Sequence, residues 1–105
     1  MPQFDVYRNP NPETEQAFPY LVDVQADLLR GLETRTVIPL SRAIELTSYP
    51  VAYLTPVVTF EGEAYALITP QLAGIARSDL GAHAGSMANQ ERAVLAAIDF
   101  LIRGF

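Results

Sequence analysis

The sequence predicts an α+β fold, an antiparallel sheet carrying one C-terminal helix. Three observations carry that prediction. Several short segments alternate apolar and polar residues with a period of two and are bounded by Pro, Gly or Asn, the pattern of half-buried strands. Glu61-Gly62-Glu63 separates two such segments at hairpin spacing. From Ser86 to Phe105 the period changes: Met87, Val94, Ile98, Leu101, Ile102 and Phe105, with Leu95 beside them, fall on one side of a helix. About five strands joined mostly by short turns and followed by one helix define the class.

Gln3 to Arg8 is the first strand, with Phe4 and Val6 on one face and Asp5 and Tyr7 on the other. Asn9 to Glu15, rich in Pro, Asn and acids, reads as an exposed loop. Phe18 to Gln25 is the second strand, with Tyr20, Val22 and Val24 sharing one face and Leu21, Asp23 and Gln25 the other. Together they form a long-armed antiparallel hairpin. Asp27 to Gly31 breaks the alternation and sets Leu28 beside Leu29, either a plug at one end of the core or an apolar patch for a partner. Thr34 to Leu40 is the third strand, and Pro39, which has no amide proton, is expected to end it or lie at an edge. Ser41 to Ser48 is a short helix or an irregular crossover. Val57–Phe60 and Ala64–Thr69 are the arms of a hairpin, with Gly62 supplying its positive φ and Pro70 stopping the second arm. Gly74 to Ser78 is a short strand, and Gly81 to Gly85 a flexible lead into the helix. In that helix Ser86 is the expected N-cap and Gly104 the left-handed residue past its end. Val94, Ile98 and Leu101 are its expected buried side. Arg103 in the last turn complements the helix dipole, and Phe105 either closes the core or presents itself at the tip.

The 105 residues make one domain, 1–105, able to bury roughly two-thirds of its unfolded surface without covalent staples. Half the residues are hydrophobic, which argues against disorder. No apolar run approaches the roughly 18 residues of a membrane span. MPQFDVYRN has neither the basic start nor the apolar stretch of a signal peptide, so no leader is expected. The net charge is −5, and the seven arginines, at 8, 30, 35, 42, 77, 92 and 103, are scattered. Direct nucleic-acid binding is therefore not expected, because it needs clustered positive charge to displace counterions.

No catalytic constellation is expected. His83 is the single histidine and sits in a Gly/Ala loop near Asp79 and Ser86. Three triad members within one flexible loop lack the rigid support such chemistry requires, so His83 reads as a solvent-exposed loop residue. With no cysteine there is no disulfide and no thiolate zinc site. No metal site and no cofactor are expected, since neither an EF-hand, a P-loop nor a dinucleotide fingerprint occurs. Glu61 and Glu63 read as solubilising charges beside a turn.

Several segments together resemble the CcdB family of toxins. Gln3–Asn9 (QFDVYRN) is similar to that family's opening strand. Leu21–Leu29 (LVDVQADLL) carries the most specific match, the run Val22-Asp23-Val24-Gln25 followed by Asp27 and two aliphatics. Thr36–Leu40 (TVIPL), Thr55–Val58 (TPVV) and Ala96–Leu101 (AAIDFL) resemble its next strand, its central hairpin and its terminal helix, which also finishes in glycine plus one hydrophobic residue. The likeness runs through nearly the whole chain in order. Spacing differs mainly in the Asn9–Gln16 loop and around residues 41–55.

The resemblance implies an SH3-like barrel arrangement of the sheet, shared with the Kid/MazF toxins, in a cytoplasmic homodimer. It implies a toxin of a type II toxin–antitoxin module, used in plasmid maintenance. Such a toxin is not an enzyme: it binds DNA gyrase on the latter's GyrA component, traps the gyrase–DNA cleavage complex and is neutralised by a CcdA-like antitoxin. The gyrase-binding residues so implied are Leu28, Leu29, Asp99, Ile102, Arg103, Gly104 and Phe105. Leu101 and Phe105 are the implied dimer contacts, and Arg8, Asn9, Arg42 and Glu45 the implied antitoxin contacts. Two positions depart from the pattern. Arg103 stands where the best-known member has an aromatic residue, and an arginine cannot offer a ring face to a partner guanidinium. Asp99 replaces an amide, and its carboxylate can pair with the same partner arginine. Two alternatives accompany this reading. One is a Kid/MazF-type endoribonuclease using Arg35 with Asp23 or Glu33. The other is a non-toxic chromosomal homologue that only dimerises and binds antitoxin.

Overall fold

A computed structural model describes residues 2–42 and 53–104. Seven strands form one antiparallel sheet: β1 (Asp5–Arg8), β2 (Tyr20–Asp23), β3 (Thr34–Arg42), β4 (Val57–Phe60), β5 (Glu63–Leu67), β6 (Ala73–Ala76) and β7 (His83–Ser86). Among the described residues one α-helix, α1 (Glu91–Arg103), follows. The strand order is β4-β5-β3-β2-β1-β7, and β6 also pairs with β3. One edge of β3 is thus shared: Thr34–Val37 pair with β6 and Leu40–Arg42 with β5. Two partners leaving one strand at different heights curl the sheet into a half-barrel, with α1 packed on it.

This shared edge explains Pro39, which is not where the sequence put it. β3 neither ends at Pro39 nor lies at an edge; it is central and runs on to Arg42. Pro39 sits opposite Leu21 of β2, and its carbonyl accepts from the Ile68 N–H at 3.0 Å on the other side. Its missing N–H faces the junction between the β6 and β5 pairings, where the ladder asks for no donor.

The inward face follows the alternation. Val6 pairs with Val22, Val22 with Ile38, and Leu40 with both Tyr20 and Leu67. These pack with Phe4, Val24, Val58, Phe60 and Tyr65 from the sheet and with Met87, Val94 and Ala97 from the helical side. Tyr20 meets the rings of Phe60 and Tyr65 edge-on, at 5.1 and 5.7 Å between centroids. The opposite face carries buried residues as well, which alternation alone does not predict. Asp5, Tyr7, Asp23, Gln25 and Arg35 on that face are all buried.

The β4–β5 hairpin turns through Glu61-Gly62, both at positive φ, so Glu63 belongs to the strand and pairs with Phe60. The lead into the helix is not a flexible stretch. His83–Ser86 forms β7 along β1, with an irregularity between the Val6↔Gly85 and Tyr7↔His83 pairs. Gly85 is needed there because a Cβ would meet the Phe60 ring at 2.9 Å. Ser86 does not cap α1. Its Oγ accepts from the Ala88 N–H at 3.1 Å and starts the 3-10 turn Ala88–Gln90, after which α1 begins. At the far end Gly104 takes the left-handed conformation, φ 79°, and donates its N–H to the Phe100 carbonyl at 2.9 Å, as the sequence predicts. The proposed crossover contributes Ser41 and Arg42 to β3, and its residues 43–48 lie outside the described residues.

Candidate protein-interaction site

Leu28 and Leu29 do not plug the core. They lie on a 3-10 turn, Asp27–Leu29, where β2 leaves the sheet and before β3 enters it. Leu28 is 91% exposed and Leu29 45%. Leu32, in the same connection, is 49% exposed and completes an apolar lip of three leucines. Such a lip remains in water because the turn is anchored by polar groups on either side. The Asp27 carboxylate accepts from the Gln3 N–H at 2.6 Å, and the Gln25 amide donates to the Leu29 carbonyl at 3.2 Å.

The second cluster is the C-terminal half of α1. Its first half is covered through Val94 and Ala97, both fully buried, with Ile98 packed beside them. The expected burial of Leu101 does not hold: it continues the same stripe but is exposed, and Ile102 is 74% exposed. Leu95, Asp99 and Ile102 stand at helical spacing along another exposed line, and Arg103 closes the last turn. Tyr53 stacks on Phe100 with ring centroids 6.0 Å apart and leaves its other side open, extending the apolar tip. Leu28–Leu29 and the tip thus belong to two separate elements. Phe105 lies outside the described residues.

Tyr53 and Leu32 are absent from the sequence-derived set. Tyr53 had no local signal, because its neighbour Phe100 is distant in sequence. Leu32 had one, a third leucine within five residues of Leu28 in a segment without strand periodicity.

Of the implied antitoxin residues, Arg8, Asn9 and Arg42 stand at one end of the sheet. The Arg8 guanidinium lies over the Tyr20 ring at 5.6 Å, while Arg42 on β3 approaches Glu63 at 3.7 Å. Asn9 is buried and its side chain is used within the loop: its amide donates to Thr14 Oγ1 and to the Phe18 carbonyl, each at 2.9 Å, and its oxygen accepts from the Asn11 N–H at 3.0 Å. The loop so fastened borders an open groove of about 590 Å³, lined by Phe18, Leu21, Val37, Pro39 and Ile75. Glu45 lies outside the described residues.

The groups considered for chemistry are otherwise employed. His83 is in a strand, not a loop; its Nε2 is 2.9 Å from the Asp5 carboxylate and its ring meets Tyr7 edge-on at 5.4 Å. Asp79 is not its partner, and the Ser86 hydroxyl serves the turn described above. Arg35 and Asp23 form an ion pair at 2.6 Å with neither side chain exposed. A buried pair of this kind cannot meet RNA in a groove, which takes away the arginine the endoribonuclease alternative requires, although Glu33 is exposed. Burial, reinforced by the neighbouring carboxylates of Asp5 and Asp23, pushes the Tyr7 hydroxyl up from its ordinary pKa. Among the described residues no three His, Asp or Glu side chains gather as metal ligands, and no helix is long and apolar enough to cross a membrane.

Two apolar projections thus stand on a curled sheet that buries the Asp23–Arg35 pair. A curled antiparallel sheet with one C-terminal helix is also the fold that the resemblance implies. The model of the family described as CcdB protein matches residues 3–104, nearly the full length of the chain. The chain therefore belongs to the CcdB family, toxins of toxin–antitoxin modules.

Proposed function

We propose that this protein is a cytoplasmic toxin that binds the GyrA component of DNA gyrase and holds the enzyme in its cleavage complex with DNA. The observation that carries this reading is the exposure of Leu28 and Ile102, two large apolar side chains on ordered elements. The contact set consists of Leu28 and Leu29 on the turn and Asp99, Ile102, Arg103, Gly104 and Phe105 at the helix end. Burying Leu28 and Ile102 on a partner returns about 1.5–3 kcal/mol for each side chain, a gain the free protein forgoes. The uncovered half of α1 supports a homodimer with Leu101 and Phe105 between protomers, because a two-fold axis there brings the two helix ends side by side and doubles the patch open to gyrase. A CcdA-like antitoxin contacting Arg8, Asn9, Arg42 and Glu45 is supported by the apolar groove bordered by the Asn9 loop. Asn9 contributes there by shaping the loop.

Expression in bacteria carrying either sensitive or toxin-resistant gyrase tests the reading. Growth arrest is expected only in the sensitive strain. Equal arrest in both strains, or none in either, overturns it. A second reading, a homologue that folds and binds antitoxin without poisoning gyrase, rests on Arg103 standing in place of an aromatic. It expects a harmless parent and a toxic Arg103→Trp variant; a fully toxic parent rules it out.

A further inference from the structure

The three-leucine lip is held from outside by Arg77. This arginine opens the 3-10 turn Arg77–Asp79, after β6, and lies 47 and 45 residues along the chain from the two groups it binds. Its Nη2 donates to the carbonyls of Arg30 and Leu32, at 2.5 and 2.6 Å. Its own backbone N–H donates to the Glu33 carbonyl at 2.7 Å. Gln25 adds the bond to the Leu29 carbonyl, so the carbonyls of residues 29, 30, 32 and 33 all have fixed donors.

That arrangement is unusual for a connection with no buried residue in its 3-10 turn. An exposed segment bearing three leucines, none of them buried, has little packing to order it. Left to itself, it samples many backbone states and folds its leucines against the nearest apolar surface. A planar guanidinium reaching two carbonyls fixes the segment more firmly than an ammonium, whose donors sit on one freely rotating point. We infer that Arg77 is a positioning residue for partner binding: it holds the Leu28–Leu29–Leu32 lip in its binding geometry before the partner arrives. Apparent affinity then falls in proportion to the fraction of molecules whose lip is in that geometry. This inference rests on the gyrase reading above, since Leu28 and Leu29 belong to the surface proposed there.

The test compares the parent chain with Arg77→Met, which keeps the stem and removes the donors, with Arg77→Lys and with Leu28→Ser. Each is titrated with a purified GyrA fragment, and backbone amide exchange is followed in each free protein. Arg77→Met is expected to bind about tenfold or more weakly. Its amides from Leu29 to Leu32 should exchange faster, while Val22 and Ile38 stay protected as in the parent. Arg77→Lys should fall between the two, and Leu28→Ser should bind weakly with parent-like exchange. Parent-like binding by Arg77→Met together with weak binding by Leu28→Ser overturns the positioning role and leaves the gyrase reading standing. A parent that does not bind, or binding indifferent to Leu28→Ser, removes the gyrase surface itself and the inference with it. Should Arg77→Met also lose protection at Val22 and Ile38, Arg77→Lys decides: parent affinity and parent exchange in that variant overturn the role.

Discussion

Removing the Asp23 carboxylate leaves the Arg35 guanidinium inside the sheet without the anion that sits 2.6 Å from it. Both side chains are fully buried, so water cannot replace the lost partner. Asp23→Ala is therefore expected to destabilise the fold by about 3–5 kcal/mol, whereas replacing both residues by apolar ones of similar volume costs much less. Urea unfolding of the two variants checks this; a loss below about 1 kcal/mol in Asp23→Ala contradicts the buried pairing. The residue types were visible in the sequence, and so was the strand that places Asp23 on the face opposite to Val22 and Val24. Their pairing was not. It depends on Asp23 and Val37 being cross-strand partners, which brings Arg35 of the same strand onto the Asp23 face. Periodicity reports which residues share a face of one strand and is silent about the register with the next.

The helix changes from buried to exposed along its length. Met87, just before α1, and Val94 and Ala97 within it are fully buried, while Leu101 and Ile102 near its end are not. Met87→Ala is expected to cost about 2–5 kcal/mol through the cavity it opens. Ile102→Ser should change stability by less than about 0.5 kcal/mol, as exposed positions do, while abolishing growth arrest if the helix tip contacts gyrase. Thermal melts and the growth assay, run on both variants, separate the two effects. A large loss of stability from Ile102→Ser would place that side chain inside a core. The amphipathic stripe was legible as one continuous face because sequence spacing sets direction around the axis. It does not tell how far along the axis the sheet reaches, so Leu101 read as buried. Likewise β7 escaped notice because Gly and Ala carry little strand signal. Only pairing with β1 and the approach of Gly85 to Phe60 reveal it.

At the scale of the whole molecule, the buried tyrosines set an alkaline limit. Burial, together with the 3.0 Å hydrogen bond from the Tyr65 hydroxyl to Glu63, pushes the Tyr65 pKa from 10.0 up to about 12. The folded protein thus holds this proton more tightly than the unfolded chain. The associated stability is complete below pH 10 and is lost as the pH rises towards about 12. Melting the parent and Tyr65→Phe between about pH 9 and pH 12 checks the sign: the difference between them should narrow or reverse at the alkaline end. A parent whose stability relative to Tyr65→Phe stays constant across that range contradicts it.

The sequence by itself determined the fold class, which residues share a face in the first two strands, the hairpin at Gly62 and the glycine cap of the helix. Each of these is a local matter of period, turn chemistry or backbone freedom, decided within a few residues. The family was legible for a related reason, since LVDVQADLL and the helix finish preserve residue order without reference to contacts. Only the tertiary structure decided that Pro39 lies in a central strand, that Asp23 and Arg35 neutralise each other inside the sheet, that Leu28 stands in water and that Arg77 reaches the Arg30 and Leu32 carbonyls. Those outcomes depend on which distant segments meet and at what register, and a carbonyl at residue 30 finding a guanidinium at residue 77 leaves no trace in the local pattern of either.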